Sequence, residues 1–252
     1  MLTTDYLTGV PNWLDLGSTD VERSAAYYTA LLDWTHEPLG PEAGGYGFFR
    51  HDGRIVAAIG PSTEPGAWTV HLNTPDADAT AGAVRAAGGE VRVEPDDVFT
   101  AGRLAAFTDP TGAEFAVWQP GDRVGLDAVT VPGSLAWIEL HTTDVAAAVA
   151  FYTGVFDAEA SKVPFSGGEY TVLTPRGAGD ERSFAGVVPV GDGRSRWVAY
   201  IEVTDVEATF ARNTELGGGV LMPVEHVPGV GRMAWLTDPL GTVFAVIQSS
   251  TD

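Results

Sequence analysis

The chain is built from copies of itself. Trp13-Leu14-Asp15-Leu16 is matched by Trp137-Ile138-Glu139-Leu140, 124 residues further on. The same offset joins Thr19-Asp20-Val21 to Thr143-Asp144-Val145 and Tyr27-Tyr28 to Phe151-Tyr152. Beyond that the offset becomes 129. It then joins Trp68 to Trp197, Gly88-Gly89 to Gly217-Gly218, and Gly102-Arg103 to Gly231-Arg232. Asp109-Pro110-Thr111-Gly112 likewise matches Asp238-Pro239-Leu240-Gly241, and Phe115-Ala116-Val117 matches Phe244-Ala245-Val246. Five extra residues between Ala158 and Trp197 account for the change of offset. Collinear matches over this much chain mean duplication, and a duplicated chain folds as copies of one unit. The pattern breaks at the Gly-, Asp- and Pro-rich stretch from Gly121 to Pro132, which predicts domains at residues 1–125 and 126–252.

Each half contains a finer repeat. Residues 12–17 alternate as a strand, and Thr19 or Asp20 can cap a helix with Ala25, Tyr28, Leu31 and Leu32 on one face. Tyr46 to Arg50 and Arg54 to Ile59 read as a hairpin around Asp52-Gly53. Trp68 to Thr74 reads as a strand, and Asp76 to Ala87 as a helix stopped by Gly88-Gly89. Glu90 to Val93, Arg103 to Thr108 and Glu114 to Gln119 are three more strands. The Asp109-Pro110-Thr111-Gly112 turn joins the last two, and Glu94-Pro95-Asp96-Asp97 reads as a solvated turn. The arrangement strand–helix–strand–strand–strand starts again at Leu135 and at Trp197, so the chain reads as four modules in an α+β fold.

Charge and composition narrow the partners. Fourteen basic residues stand against 34 acidic ones, a formal net charge of −20. Such a field repels phosphate backbones and anionic lipid, so neither nucleic acid nor a membrane is the expected partner. A small molecule is, with the protein a monomer or a homodimer. Without cysteine there is no disulfide, thiolate metal site or cysteine nucleophile. Residues 1–11 lack a basic start and an apolar run, and no stretch approaches about 18 apolar residues. The expected location is the cytoplasm.

The order of these motifs resembles the vicinal oxygen chelate superfamily, which includes glyoxalase I, bleomycin-resistance proteins and extradiol dioxygenases. Carrying the resemblance are Asp20-Val21 with Tyr27-Tyr28, Asp144-Val145 with Phe151-Tyr152, the Gly-Gly after each second helix, and the Asp-Pro-x-Gly turn before each last strand. Two-domain actinobacterial glyoxalase-like proteins are similar over nearly the whole chain. The resemblance implies four βαβββ modules forming two tandem glyoxalase-like domains, each with a curved mixed sheet around a cavity. It also implies divalent-metal ligands on the first and last strands of the modules. Those positions fall at Trp13, Trp137, Thr69, Val198, Ala116, Ala245 and Ala57 or Ala58, and none is a standard ligand. The expectation is therefore no metal site and no cofactor.

Polar residues on the same strand faces are the candidates to replace it. Alternation groups Trp13, Asp15 and Gly17, and separately Thr69, His71 and Asn73. In the second half it groups Trp137, Glu139 and His141, then Val198, Tyr200 and Glu202. A carboxylate beside an imidazole in an apolar site moves protons, which makes Glu139, His141, Asp15 and His71 the catalytic candidates. Glu139, His141 and Glu202 are alternatively a displaced metal site, and the remaining alternative is that all these groups satisfy one another structurally. Trp13, Asn73, Trp137, Tyr200 and Glu202 are ligand-binding candidates. So are Arg103 and Arg232, as clamps for an anion, against a reading as turn-bracing ion pairs. His36, His51 and His226 read as exposed. The function expected is binding or sequestering a carbonyl-bearing or aromatic metabolite, in antibiotic resistance or secondary metabolism. The alternatives are a lyase or isomerase using carboxylate–histidine acid–base chemistry, and a metal-dependent glyoxalase or dioxygenase with displaced ligands.

Overall fold

The computed structural model describes residues 1–165, 168–191 and 193–250. Residues 166, 167 and 192, in the stretch that changes the repeat offset, lie outside the described residues. The first half runs β1 (Pro11–Ser18), α1 (Val21–Leu32), β2 (Thr35–Pro38), β3 (Gly47–His51), β4 (Arg54–Pro61), β5 (Ala67–Asn73), α2 (Ala77–Ala86), β6 (Glu90–Val98), β7 (Gly102–Thr108) and β8 (Glu114–Pro120). The second runs β9 (Leu135–Thr142), α3 (Val145–Val155), β10 (Ala158–Phe165), β11 (Gly168–Pro175), β12 (Ala185–Pro189), β13 (Arg196–Glu202), α4 (Val206–Glu215), β14 (Gly219–Val227), β15 (Gly231–Thr237) and β16 (Val243–Ser249). Strands β1–β8 make one eight-stranded mixed sheet and β9–β16 another. Strand order is β2-β3-β4-β1 in the first module and β5-β8-β7-β6 in the second, repeated as β10-β11-β12-β9 and β13-β16-β15-β14. Each module is thus βαβββ, with its first strand parallel to its last.

The same local chemistry starts each helix. Asp20, Asp76, Asp144 and Asp205 are the N-caps of α1 to α4, and each carboxylate accepts from the backbone N–H three residues on. Gln119 and Gln248, equivalent by repeat, accept from the first N–H of α2 and of α4. The Asp52-Gly53 hairpin forms with both residues at positive φ, 49° and 76°. The structure adds one strand not read from the sequence and corrects one expectation. Thr35–Pro38 forms a strand, β2, although it is four residues long and mostly exposed. Glu94-Pro95-Asp96-Asp97 is part of β6, not a turn. Pro95 is tolerated there because β6 lies at a sheet edge and its register with β7 shifts between Val93 and Asp96.

The chain packs as two compact units. One comprises Met1–Trp13, Thr69–Gly125 and Trp137–Trp197; the other comprises Leu14–Trp68, Leu126–Ala136 and Val198–Asp252. Each unit therefore combines a module of one half with a module of the other. In the first unit Phe115 meets Phe151, Tyr152 and Phe156 at ring separations of 5.9, 5.4 and 6.0 Å. In the second, Tyr28 packs among Trp34, Phe49, Trp68 and Phe244. The polar tips of these aromatics are satisfied in kind, as burial requires. Trp197 donates its indole N–H to Tyr152 Oη at 2.9 Å, and Trp68 donates to Tyr28 Oη at 3.0 Å. Both phenols are pushed far above the usual tyrosine range, first by burial and then by the facing carboxylate, Asp109 for Tyr152 and Asp238 for Tyr28.

Candidate functional site

A connected polar cluster is found in the first unit, on β9 and β11. Alternation along β9 puts Trp137, Glu139 and His141 on one face. Glu139 and His141 are buried, at 7% and 4% exposure. Glu139 Oε2 lies 2.8 Å from His141 Nε2. Its other oxygen, Oε1, accepts from the hydroxyl of Tyr170 on β11 at 2.7 Å. That hydroxyl in turn accepts from Trp137 Nε1 at 3.1 Å. The order is indole, phenol, carboxylate, imidazole. Burial, and then the Glu139 charge, push the Tyr170 phenol far above its ordinary range, so it stays a neutral donor. With Glu139 ionised, both of its oxygens accept, and the His141 contact is donated by Nε2–H.

Other candidates in this unit are placed differently. His71 is 1% exposed on β5, opposite Ala116 in the parallel ladder with β8. Asn73 accepts from Asn12 Nδ2 at 2.9 Å and donates to the carbonyls of Tyr6 and Leu7 at 2.8 and 3.3 Å. It thereby fastens the segment that precedes β1. Trp13 is buried and stacks on Trp118 at 6.3 Å. Arg103 binds Asp97 at 2.6 Å and Asp78 at 3.0 Å, bracing strand to helix. An open cleft of about 520 Å³ borders Tyr6, Leu7, Asn73, Pro120 and Val124, and its lining includes neither Glu139 nor His141.

In the second unit Asp15 accepts from the Tyr46 hydroxyl at 3.1 Å. Tyr200 accepts from Trp235 Nε1 at 2.9 Å. Glu202 takes Ser249 N–H at 2.9 Å on one oxygen and Ser249 Oγ at 2.6 Å on the other, which holds the end of β16. Arg232 pairs with Glu207, the repeat equivalent of the Arg103–Asp78 brace. His36, expected to be exposed, is half-buried against Phe49, at a ring separation of 5.7 Å. Sequence reasoning missed Tyr46 and Tyr170. The signal was present: they stand 124 residues apart, as do their carboxylate partners Asp15 and Glu139. The halves differ at the next position of the strand, where Gly17 in the first stands for His141 in the second.

The family model of the Glyoxalase/Bleomycin resistance protein/Dioxygenase superfamily matches residues 11–117 and again residues 134–246. The chain belongs to this superfamily. Among its relatives, the anthracycline biosynthesis protein DauV of Streptomyces sp. (strain C5) is 39% identical over 97% of this chain and 95% of its own. Solved structures share the fold at low identity. The Mn(II)-bound glyoxalase of Novosphingobium aromaticivorans superimposes with a TM-score of 0.65 at 21% identity, covering 96% of this chain and 83% of that one. For the 2,2',3-trihydroxybiphenyl 1,2-dioxygenase of Sphingomonas wittichii strain RW1 the TM-score is 0.66 at 17% identity, with 97% and 93% covered.

Superfamily membership raises the question of a divalent ion, which needs three or four side-chain donors converging on one point. Among the described residues no group of three or more His, Asp or Glu side chains is so placed. The ladder positions facing the first strands are small: Ala58 opposite Asp15, Gly186 opposite Glu139, Ala116 opposite His71 and Ala245 opposite Tyr200. Glu139 and His141 engage each other, and both oxygens of Glu202 engage Ser249. The described donors do not fit the ion.

Proposed function

We propose that this protein binds a flat, carbonyl-bearing aromatic metabolite of secondary metabolism, with the Glu139–His141 pair as the polar end of the site and without a resident metal. The observation that carries this is the buried carboxylate–imidazole contact of 2.8 Å, flanked by the aromatic side chains Trp137 and Tyr170. Few polar groups against aromatic surface are what orients a flat ligand. The relative named for anthracycline biosynthesis, alike over nearly the full length of both chains, supports the metabolite class. Asp15, His71, Trp13, Asn73, Tyr200, Glu202, Arg103 and Arg232 remain secondary candidates, most of them engaged in structural bonds.

A second reading is favoured by the same contact. A carboxylate that holds an imidazole also sets it up to take or give a proton, so a lyase or isomerase reaction on the bound carbonyl compound is the enzymatic form of this proposal. One experiment tests both. Emodin, a trihydroxyanthraquinone, is titrated into the protein by calorimetry and its fate followed chromatographically. Saturable binding is expected, weakened about 10- to 100-fold by Glu139→Gln, the loss of a charged hydrogen-bond partner. Affinity unchanged by Glu139→Gln would refute the placement of the site. Conversion of emodin by the wild type, abolished in Glu139→Gln, would establish the acid–base form.

A further inference from the structure

We infer that Tyr170 is a positioning residue for the Glu139–His141 pair, and that Gly186 is the vacancy that seats it. Tyr170 does not reach Glu139 along its own strand. It leans from β11 across β12 toward β9, the strand order being β11-β12-β9. The residue of β12 that stands opposite Glu139 in the ladder is Gly186. A Cβ placed on Gly186 would lie 1.8 Å from the Tyr170 hydroxyl oxygen and 2.3 Å from its Cζ. No side chain fits there while the tyrosine occupies its place, so the glycine and the tyrosine are one device. The hydroxyl is oriented from behind by Trp137 Nε1 at 3.1 Å, which leaves its own hydrogen directed to Glu139 Oε1 at 2.7 Å. One carboxylate oxygen is thereby pinned, and the other is presented to His141 Nε2 at 2.8 Å.

Two features make this more than a buried tyrosine satisfying itself. The first half keeps the tyrosine–carboxylate pair, Tyr46 donating to Asp15 at 3.1 Å, though the residue opposite Asp15 there is Ala58, and the ring instead lies over Gly60, whose Cβ would meet Tyr46 Cδ2 at 2.8 Å. The tyrosine–carboxylate contact is thus a repeated element of the module. Only the second half adds an imidazole beyond the carboxylate, since Gly17 stands where His141 does. Holding Glu139 still has a consequence for His141. A pinned carboxylate holds the ring plane of His141 and the direction of its Nε2 contact. A swinging carboxylate would do neither.

This inference rests on the proposed site only for its use, and it is tested without ligand. The readout is exchange of the His141 Nε2 proton, followed by NMR in protein labelled with nitrogen-15 at histidine and assigned against His141→Asn. In the wild type this ring N–H is protected. In Tyr170→Phe, which removes one oxygen, and in Gly186→Ala, which removes no polar group, exchange accelerates about tenfold while backbone amides of β9 and β12 keep their protection. Unchanged exchange in either folded variant overturns the inference, as does a wild-type spectrum with the proton on Nδ1. Should Gly186→Ala not fold, Tyr170→Phe, which keeps the ring in its place, decides the question by the same exchange. Emodin then separates this inference from the proposed function. If emodin fails to bind the wild type but the exchange result stands, the site reading falls and the positioning role survives. If emodin binds and Tyr170→Phe weakens it equally in wild-type and Glu139→Gln backgrounds, Tyr170 touches the ligand directly and the positioning role falls.

Discussion

Tyr28→Phe is the sharpest test of how the modules are locked into their compact units. Tyr28 is fully buried on α1, and its hydroxyl serves two groups. It accepts from Trp68 Nε1 at 3.0 Å and donates to Asp238 Oδ2 at 3.3 Å. Trp68 is 7% exposed and Asp238 2% exposed, so water does not readily replace the lost oxygen. The phenyl ring stays, with its contacts to Trp34, Phe49 and Phe244, so the cavity created is no larger than a hydroxyl. The cost is therefore that of a buried indole N–H and one carboxylate oxygen left without their partner. At about 1–3 kcal/mol for a buried unsatisfied group, about 2–3 kcal/mol is expected, with the 3.3 Å bond the weaker contributor. For a chain of this length that corresponds to a fall in Tm of about 5–10 °C. Scanning calorimetry of wild type and variant at two scan rates measures it. A fall below about 1 °C would refute the reasoning, because it would mean that the indole and the carboxylate had found other partners at no cost.

Three further outcomes follow from the structure. Asp20→Ala and Asp205→Ala, which each remove a carboxylate that accepts a helix N–H at 3.0 Å, should each cost about 1 kcal/mol in denaturant unfolding. Their effects should add, since they cap different helices; a combined loss no larger than either alone would contradict independent capping. His36 has its pKa lowered by burial from the ordinary 6.5. The folded state thus binds fewer protons there than the unfolded one, so this group's contribution to stability declines as pH falls below 6.5 toward the lowered value. His36→Gln should flatten stability against pH in that window by urea unfolding, and an unchanged slope would refute the assignment. Tyr152→Phe removes the acceptor of Trp197 Nε1 in the other unit and should lower Tm in the same sense as Tyr28→Phe. Equal stability of that variant and the wild type would show that the two locks are not equivalent.

What could be read from the sequence was whatever the duplication wrote twice in local chemistry. The four helix starts, the Asp-Pro-x-Gly turns and the hairpin at Asp52-Gly53 depend on short-range bonds that residue type alone dictates, and the structure has them where the pattern put them. Strand alternation placed Glu139 and His141 on one face for the same reason. Thr35–Pro38 was not legible as a strand, because an exposed four-residue edge has no hydrophobic alternation to announce it. Pro95 read as a turn because bulges at sheet edges leave no mark of their own in composition. Tyr170 was missed for a different reason: the repeat pairs it with Tyr46, but its partner carboxylate is not marked by any local pattern. It reaches Glu139 across an intervening strand, and the space it needs is created by a missing side chain at Gly186, a relation that exists only once three strands are side by side. The bonds of Trp68 and Trp197 to Tyr28 and Tyr152 place both tryptophans in the core.

The central claim is that the Glu139–His141 pair, held by Tyr170, works without a resident metal. It is tested most directly by metal analysis of protein purified without chelator, in parallel with its Glu139→Gln variant. The account predicts iron, nickel, zinc and manganese far below one equivalent per chain in both. A full equivalent of any of them in the wild type, lost on Glu139→Gln, would contradict it.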